Sequence, residues 1–456
     1  MKKLLSICYN FPPEPRTTSN RIARIMKYLQ KDWQIEVITP VEDGYLGEEI
    51  AVHSVKNWYP KYLIDLLIKI KLEKLLEWVI PFWGEPAFFW LAPALNKARK
   101  LIKQERPDVI VAFMMPYSIG IIGVITKWLT GLPLVLNFDD SPTCDDMHSS
   151  FYSWFHYRLT LWMENFYVHQ ADAVIYVSQL NLERVRSRQP QQDRSKFHLV
   201  RYGADPEEFS QYPARTDNEF HITYTGAMAG WFEFYYKPGE KTCIKKIYQA
   251  WLKLGHYQIA KLDQRSASPM FVGQAVQQVL INYPEWEGKI KIKIYGNLFA
   301  KYVVDRALQN QNLTNIVSVS SPVSNEKSIE LACQCDLLFL TLPARPPGSC
   351  PGGRISGKTY EYLMTDRPIL AAVPKGENWD YLEGKPGVWL VEPTDVSTMI
   401  KVISKIAAAK FSGKQLTFDR THLYDELSYV TRAKEFSDVL DKAIYIRQSY
   451  PKIRMI

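Results

Sequence analysis

Cysteine is scarce and scattered in this chain: six residues, at positions 8, 144, 243, 333, 335 and 350. They form no CxxC pair and no Cys/His set at zinc spacing, so neither a redox motif nor a structural zinc site is expected. A chain of 456 residues needs no disulfide staples, and free thiols in a reducing compartment are the expectation. There is no Lys/Arg run and no nucleic-acid motif, so nucleic acid is left out as a partner. Long apolar runs are also missing. The uncharged stretch 109–126 carries Pro116, Tyr117, Ser118 and Gly120 at its middle and follows Pro107-Asp108. It reads as a strand, a loop and a helix start rather than a bilayer span. The opening MKKLLSICYNFPPEP has the basic start of an export signal. Its apolar part is short and two prolines follow at once, so it reads as a first buried strand. After that strand the GxGxxG fingerprint is absent. NFPPEPRTTSNR stands in its place, and prolines donate no amide hydrogen to a pyrophosphate, which argues against NAD or FAD.

What is present is the composition of a globular protein, 46% hydrophobic and 23% charged, long enough for two α/β domains. The aromatic share, 13%, serves first a large core and then sugar or membrane-interface contacts. A net charge of +8 draws the chain towards anions such as a nucleotide diphosphate or an acidic bilayer.

Short β-branched runs recur at 4–8, 35–39, 108–113, 134–138, 173–177 and 197–201, then at 221–225, 290–295, 316–319, 336–340, 369–373 and 388–391. Helical stretches separate them. Near-continuous apolar strands alternating with helices imply parallel sheets covered on both faces, and two such series imply two doubly wound domains. The polar stretch 211–218 marks the boundary, giving an N-terminal domain 1–212, a C-terminal domain 213–420, and a final helical segment 421–456. Two regions break the pattern. In 58–101, Lys61, Asp65, Lys69, Glu73 and Glu77 recur every fourth residue among apolar ones, followed by PFWGEPAFFW. This segment either packs on the sheet or lies on a bilayer, where it would meet a lipid-bearing substrate. The stretch 230–268 is an insertion after Tyr224-Thr225-Gly226.

Three loops carry chemistry. Arg16, Thr17, Thr18, Ser19, Asn20 and Arg21 stand at a helix start, where they either favour an anion or cap the helix. Asp139-Asp140, with Asp145-Asp146 shortly after, offers carboxylates for sugar hydroxyls or for capping; no metal is expected. The loop ARPPGSCPGGRISGKTYEYL holds glycines that let backbone approach a ligand, followed by a helix from about Lys358. Ser356, Gly357 and Lys358 put amides and a cation at that helix start, Arg354 adds positive charge, and Glu361 can accept from vicinal ribose hydroxyls.

Over nearly its whole length the chain resembles the retaining GT-B glycosyltransferases of family four. The resemblance is carried by YNFPPEPRTTSNR, RPDVIVAFMMPYSIG, GLPLVLNFDD, ADAVIYVS, VRYGADPEEF, YTGAM, IKIYGN and SGKTYEYLMTDRPIL. It implies an α/β GT-B fold, two Rossmann-like domains facing a central cleft. It also implies a nucleotide-diphosphate sugar as donor, a glycan or lipid-linked acceptor, no further cofactor, and a C-terminal helix returning to the first domain. By the same resemblance, Gly226, Gly357, Lys358 and Glu361 hold the donor; from the loops themselves Ser356 is expected to join them, and Asn10, Arg16, Asn20 and Asp140 to hold the acceptor. Lys358, Arg354 and Asp139 carry the transfer, in cell-surface polysaccharide synthesis at the inner face of the membrane. The chain departs from the family pattern where the first acid of the Glu-seven-residues-Glu motif should stand, which here is Gly353. The basic pair expected after Gly226 is absent too, with Lys237, Lys241, Lys245 or Lys246 as substitutes. A nucleotide-sugar epimerase and a non-catalytic nucleotide-sugar or glycan binder remain open alternatives.

Overall fold

A parallel strand with a helix on each face must be apolar on both sides, and the strands of this chain obey that rule. The computed structural model describes residues 1–14, 16–44, 46–47, 50–70, 76, 85–143, 150–209, 212, 215, 217–236 and 255–449. Among these, one compact unit takes 1–203, 255–259 and 429–449, and the other takes 204–236 and 260–428.

The strands of the first half are β1 (Lys2–Ile7), β2 (Trp33–Thr39), β3 (Ile50–Ser54), β4 (Val109–Phe113), β5 (Leu134–Phe138), β6 (Ser150–Phe151), β7 (Ala173–Tyr176) and β8 (Phe197–Leu199). Seven of them form a parallel sheet in the order β3-β2-β1-β4-β5-β7-β8. In β4, Val109, Val111 and Phe113 face one core while Ile110 and Ala112 face the other. The register pairs Leu4 with Val109 and Leu5 with Ile110, so each face continues from strand to strand. The helices Leu91–Glu105, Ile119–Thr130 and Trp154–Gln170 supply Ala98, Ile122 and Val168 to one core. The helices Thr17–Leu29 and Tyr429–Ser449 supply Ile25 and Phe436 to the other.

The final helical segment, expected to run on from 421, is broken at Ser428. Thr421–Leu423 and Tyr424–Leu427 form short turns, and Ser428 pairs with Ala204. Helix Tyr429–Ser449 then packs in the first unit, where Phe436 stacks on Phe113 at 6.0 Å, Trp33 Nε1 donates to Ser437 Oγ at 2.8 Å, and Lys2 pairs with Asp441.

In the second unit β9 (Phe220–Thr225), β11 (Ile290–Tyr295), β12 (Val317–Ser320), β13 (Leu337–Thr341), β14 (Ile369–Ala372) and β15 (Val388–Val391) make a parallel sheet ordered β12-β11-β9-β13-β14-β15. The order reverses between β9 and β13, and that switch is where such sheets receive ligands. The change of unit falls at 203/204, ahead of the polar stretch 211–218. Ala204 N–H donates to Leu427 O at 2.9 Å, and Phe209 is buried with Cys333 Sγ against its carbonyl, which ties this stretch to the second unit.

The insertion is a closed excursion. Its two ends meet where Ala229 N–H donates to Ala267 O at 3.0 Å and where a Cβ on Gly230 would stand 2.2 Å from Gln264 O. Residues 237–254 lie outside the described residues, Lys237, Lys241, Lys245 and Lys246 among them. Beyond them β10 (Tyr257–Gln258) pairs antiparallel with β6 inside the first unit. Of the 58–101 segment, helix Lys61–Lys69 is described and buries Ile64; Glu73 and Glu77 lie outside the described residues. Among the described residues no helix is long and apolar enough to cross a membrane.

His198 on β8 supplies a pH test. Burial, then the charge of Lys442, pulls its pKa down to about 4. A depressed histidine folds as the neutral form, so its contribution is intact above the unfolded value and is lost as pH falls towards 4. Discounted for partial exposure, the effect is about 1–2 kcal/mol. Denaturant unfolding of wild type and His198→Gln at pH 7 and pH 4.5 should show the variant losing less stability over that interval. An equal loss in both proteins would contradict it.

Candidate functional site

Strand β9 ends at Thr225 and hands the chain to Gly226, whose φ of 146° is open to glycine and strained for other residues. Close approach demands glycine here a second time. A Cβ on Gly226 would stand 2.4 Å from Lys358 Cε and 3.0 Å from Lys358 Nζ. The lysine therefore lies across the bare backbone at the carboxyl end of β9, beside the switch in strand order. Gly296, at the end of β11, has φ 124°, and a Cβ there would meet Gly226 C at 2.7 Å. The two strand ends touch through backbone alone, and Gly226 N–H donates to Tyr295 O.

Lys358 is the second residue of helix Gly357–Leu363, and Glu361 one turn on stands 3.9 Å from its Nζ. Both side chains are about a quarter exposed, so the pair is reachable from solvent. The helix is one seven-residue stretch, so its dipole is small and the lysine supplies most of the positive field. Tyr362 fixes the helix to the strand: its buried hydroxyl accepts from Thr225 N–H at 3.1 Å, and burial drives its pKa up, so it stays neutral.

The glycine-rich loop is pinned at both ends of 352–356. Gly352 bridges Gly376, whose φ is 147° and whose Cβ would stand 2.6 Å from Gly352 O, and Glu377 N–H donates to Gly352 O at 2.9 Å. Asn378 Oδ1 accepts from Thr359 Oγ1 at 2.7 Å and from Ser356 N–H at 3.3 Å. Ser356 thus spends its amide inside the protein, and the helix-start amides left for a ligand are those of Gly357 and Lys358. Arg354 is exposed and Gly353 buried. Gly226, Ser356, Gly357, Lys358 and Glu361 are therefore brought together.

In the first unit the expected groups divide. Asp139, expected to carry transfer, is buried with its side chain 4% exposed. Its Oδ1 accepts from Arg21 Nη1 at 3.0 Å and from Asn137 Nδ2 at 3.2 Å, and its Oδ2 accepts from Tyr202 hydroxyl at 2.9 Å. Arg21 also donates to Asn137 Oδ1 and to Val200 O, and its guanidinium covers the Tyr202 ring at 5.1 Å. Burial, then the Asp139 charge, holds the Tyr202 phenol well above its ordinary pKa, so it remains a donor. Asp139 is committed to structure, with both oxygens occupied. Asp140, next in the chain, is half-buried.

Arg16, just ahead of helix Thr17–Leu29, and Asn20 within it are exposed, and Arg16 pairs with Glu14 at 3.3 Å. Asn10 is buried and donates from Nδ2 to Met115 O at 3.2 Å, which joins the loops after β1 and β4 at the switch in the first sheet. Asp145 and Asp146 lie outside the described residues. Two groups escaped the sequence reading. Glu85 accepts from Tyr117 N–H at 3.1 Å and Ser118 N–H at 2.8 Å, filling the anion position at the start of helix Ile119–Thr130 from within the chain; burial raises its pKa. Glu164, fully buried, accepts from Ser141, Thr143 and Arg188 at 2.6, 2.6 and 2.7 Å and holds the segment after Asp140. Their signal was absent from local sequence, because each partner lies on another element.

Comparison with known proteins agrees with the motifs. Residues 18–208 match the model of Glycosyltransferase Family 4. The Anabaena protein HepE in complex with UDP aligns with 97% of this chain and 100% of its own at 15% identity and a TM-score of 0.59. Sucrose-phosphate synthase from Thermosynechococcus elongatus aligns over 99% of each chain at 11% identity and 0.57. The alpha,alpha-trehalose 6-phosphate synthase from Burkholderia multivorans aligns with 98% of this chain and 100% of its own at 10% identity and 0.61. No curated protein matches. The fold is GT-B, two doubly wound parallel sheets, and the family match supports a glycosyltransferase.

Four substitutions test the geometry. Gly226→Ala should cost about 1–3 kcal/mol in denaturant unfolding. Adding Lys358→Ala should recover part of that loss by clearing the contact, whereas additive costs would show that the two residues do not meet. Asp139→Asn leaves the Arg21 charge buried without its counter-ion and should cost about 3–5 kcal/mol. Exposed Asn20→Ala should stay within about 0.5 kcal/mol. A mild Asp139→Asn would refute the buried pair.

Proposed function

We propose that this protein transfers a sugar, with retention at the anomeric carbon, from a nucleotide-diphosphate sugar to a glycan or lipid-linked acceptor in cell-surface polysaccharide synthesis. The observation that carries the reading is Lys358 laid across the bare backbone of Gly226 at the strand-order switch of the second sheet. Breaking the bond between the anomeric carbon and the diphosphate oxygen puts negative charge on the departing group. A cation held there in advance lowers that barrier without reorganising. Lys358 takes this role, with the Gly357 and Lys358 amides beside it and Arg354 at the loop. Glu361 accepts from the ribose hydroxyls, and the glycine at 226 lets Lys358 lie against the strand end where the diphosphate departs. HepE is solved with UDP, with UDP and glucose, and with UDP-glucose, which makes uridine diphosphate the first nucleotide to try.

On the acceptor side Asp140 is the carboxylate for orienting the attacking hydroxyl, with Asn10, Arg16 and Asn20 around the loop after β1. Asp139 acts by holding Arg21 and Tyr202 in place. Helix Lys61–Lys69 leaves Tyr62, Leu63, Leu66 and Ile68 exposed, which supports an acceptor that carries a lipid. The free cysteines Cys8, Cys333, Cys335 and Cys350 fit a reducing cytoplasm, at the inner face of the membrane.

Gly353 supports a second reading, a protein that binds the nucleotide sugar without turning it over, because the family's first acid is missing at that position. Thermal shifts with UDP, GDP, ADP and their sugars identify the donor, since a ligand of the native state raises stability by mass action. With that donor, Lys358→Ala should lower kcat/KM about 100-fold or more. Unchanged turnover in Lys358→Ala would remove the transfer assignment, and binding with no turnover in wild type would favour the second reading.

A further inference from the structure

The outer surface of a helix layer in a globular protein is normally polar. The layer over one face of the first sheet is not. Helix Ile119–Thr130 (IGIIGVITKWLT) buries Ile122 and Val124, yet its outer stripe is Ile121, Ile125, Trp128 and Leu129 at helical spacing. Trp128 is 52% exposed and Leu129 51%. Helix Trp154–Gln170 adds Trp154, Phe155 and Trp162, each more than half exposed, with Arg158 between them. The two stripes join through Phe166, which stacks on Trp162 at 5.6 Å and meets Trp128 edge-on at 6.0 Å. Adjoining this apolar surface, helix Leu91–Glu105 presents exposed Arg99, Lys100 and Lys103. The three helices hold two carboxylates, and neither opposes these cations. Glu105 pairs with Lys3, and Glu164 is fully buried against Arg188.

We propose that this face docks the first unit onto an anionic lipid bilayer. Large exposed patches of this kind mark interaction sites. Tryptophan and phenylalanine with leucine are the residues that settle at the headgroup boundary; Trp128 gives its N–H to Gln170 Oε1 at 3.1 Å and so presents its apolar ring. A cationic border on helices whose two carboxylates are engaged elsewhere complements phosphatidylglycerol-like lipids and repels a basic second copy of this chain. The surface is distinct from helix Lys61–Lys69 and does not depend on sugar transfer.

Flotation of the purified full chain with vesicles tests it. Wild type should bind phosphatidylglycerol-containing vesicles more strongly than phosphatidylcholine alone, and weaken as salt rises. Trp128→Ser with Trp162→Ser should reduce partitioning about tenfold or more, and Lys100→Glu with Lys103→Glu about tenfold, through independent contributions. Because these side chains are exposed, the unfolding midpoint should hold; Trp154→Ser serves as a further variant if one pair destabilises the protein. Ile281→Gln, an exposed apolar change on helix Met270–Asn282 of the second unit, should bind like wild type. Vesicle binding unchanged by all the face variants, loss in Ile281→Gln alone, no binding by wild type, or a dimer that the tryptophan pair dissolves while lipid binding persists would each overturn the assignment.

Discussion

A strand in the middle of a parallel sheet has no water-facing side, and both units are shaped by the need to cover it. β4 and β5 are buried at every residue, as are β9 and β13. Helices must therefore lie on both faces, and each crossover deposits a loop at the carboxyl edge of the strand it leaves. Every residue assigned to donor or acceptor sits on such a loop or on the helix that follows it. Chemistry is concentrated where the cover stops, because backbone amides and polar side chains are tolerated only there.

The two switch points solve that exposure differently. In the second unit the backbone is stripped of side chains at Gly226 and Gly296, and a lysine is drawn into the space. In the first unit the same edge is filled: Arg21, Asn137, Asp139 and Tyr202 satisfy one another, and Glu85 occupies the helix start after β4. An edge filled by its own polar groups is rigid and selective by shape. An edge left open, with a cation beside it, suits a charged ligand that arrives and leaves.

The strands were legible because their burial is written as continuous apolar residues, and the SGKTYEYL helix start because glycine, lysine and glutamate fall at helical spacing. β3 escaped notice since Ile50–Ser54 is an edge strand with one buried residue, too polar to register. Asp139 was misread because a carboxylate after a strand looks the same whether it meets solvent or an arginine. Its partner Arg21 lies 118 residues away, a distance that pattern cannot span. Ser356 was credited with a free amide for the same reason, as Asn378 is supplied from another loop. The break at Ser428 follows from its pairing with Ala204, a tertiary contact without a local signal.

The helix Tyr429–Ser449 has a bearing on how the chain is made. It shares one face of the first sheet with helix Thr17–Leu29, burying Phe436 and Leu440, yet the ribosome reaches it after the entire second unit. Until then this face lacks part of its cover, with Phe113 missing its stacking partner Phe436, and the nascent first unit presents an apolar floor to solvent. The second unit, whose core residues end at Leu416, can close earlier than the first. Vectorial synthesis therefore favours a reversed order of maturation here, and the waiting face is the stretch of nascent chain that a chaperone would hold.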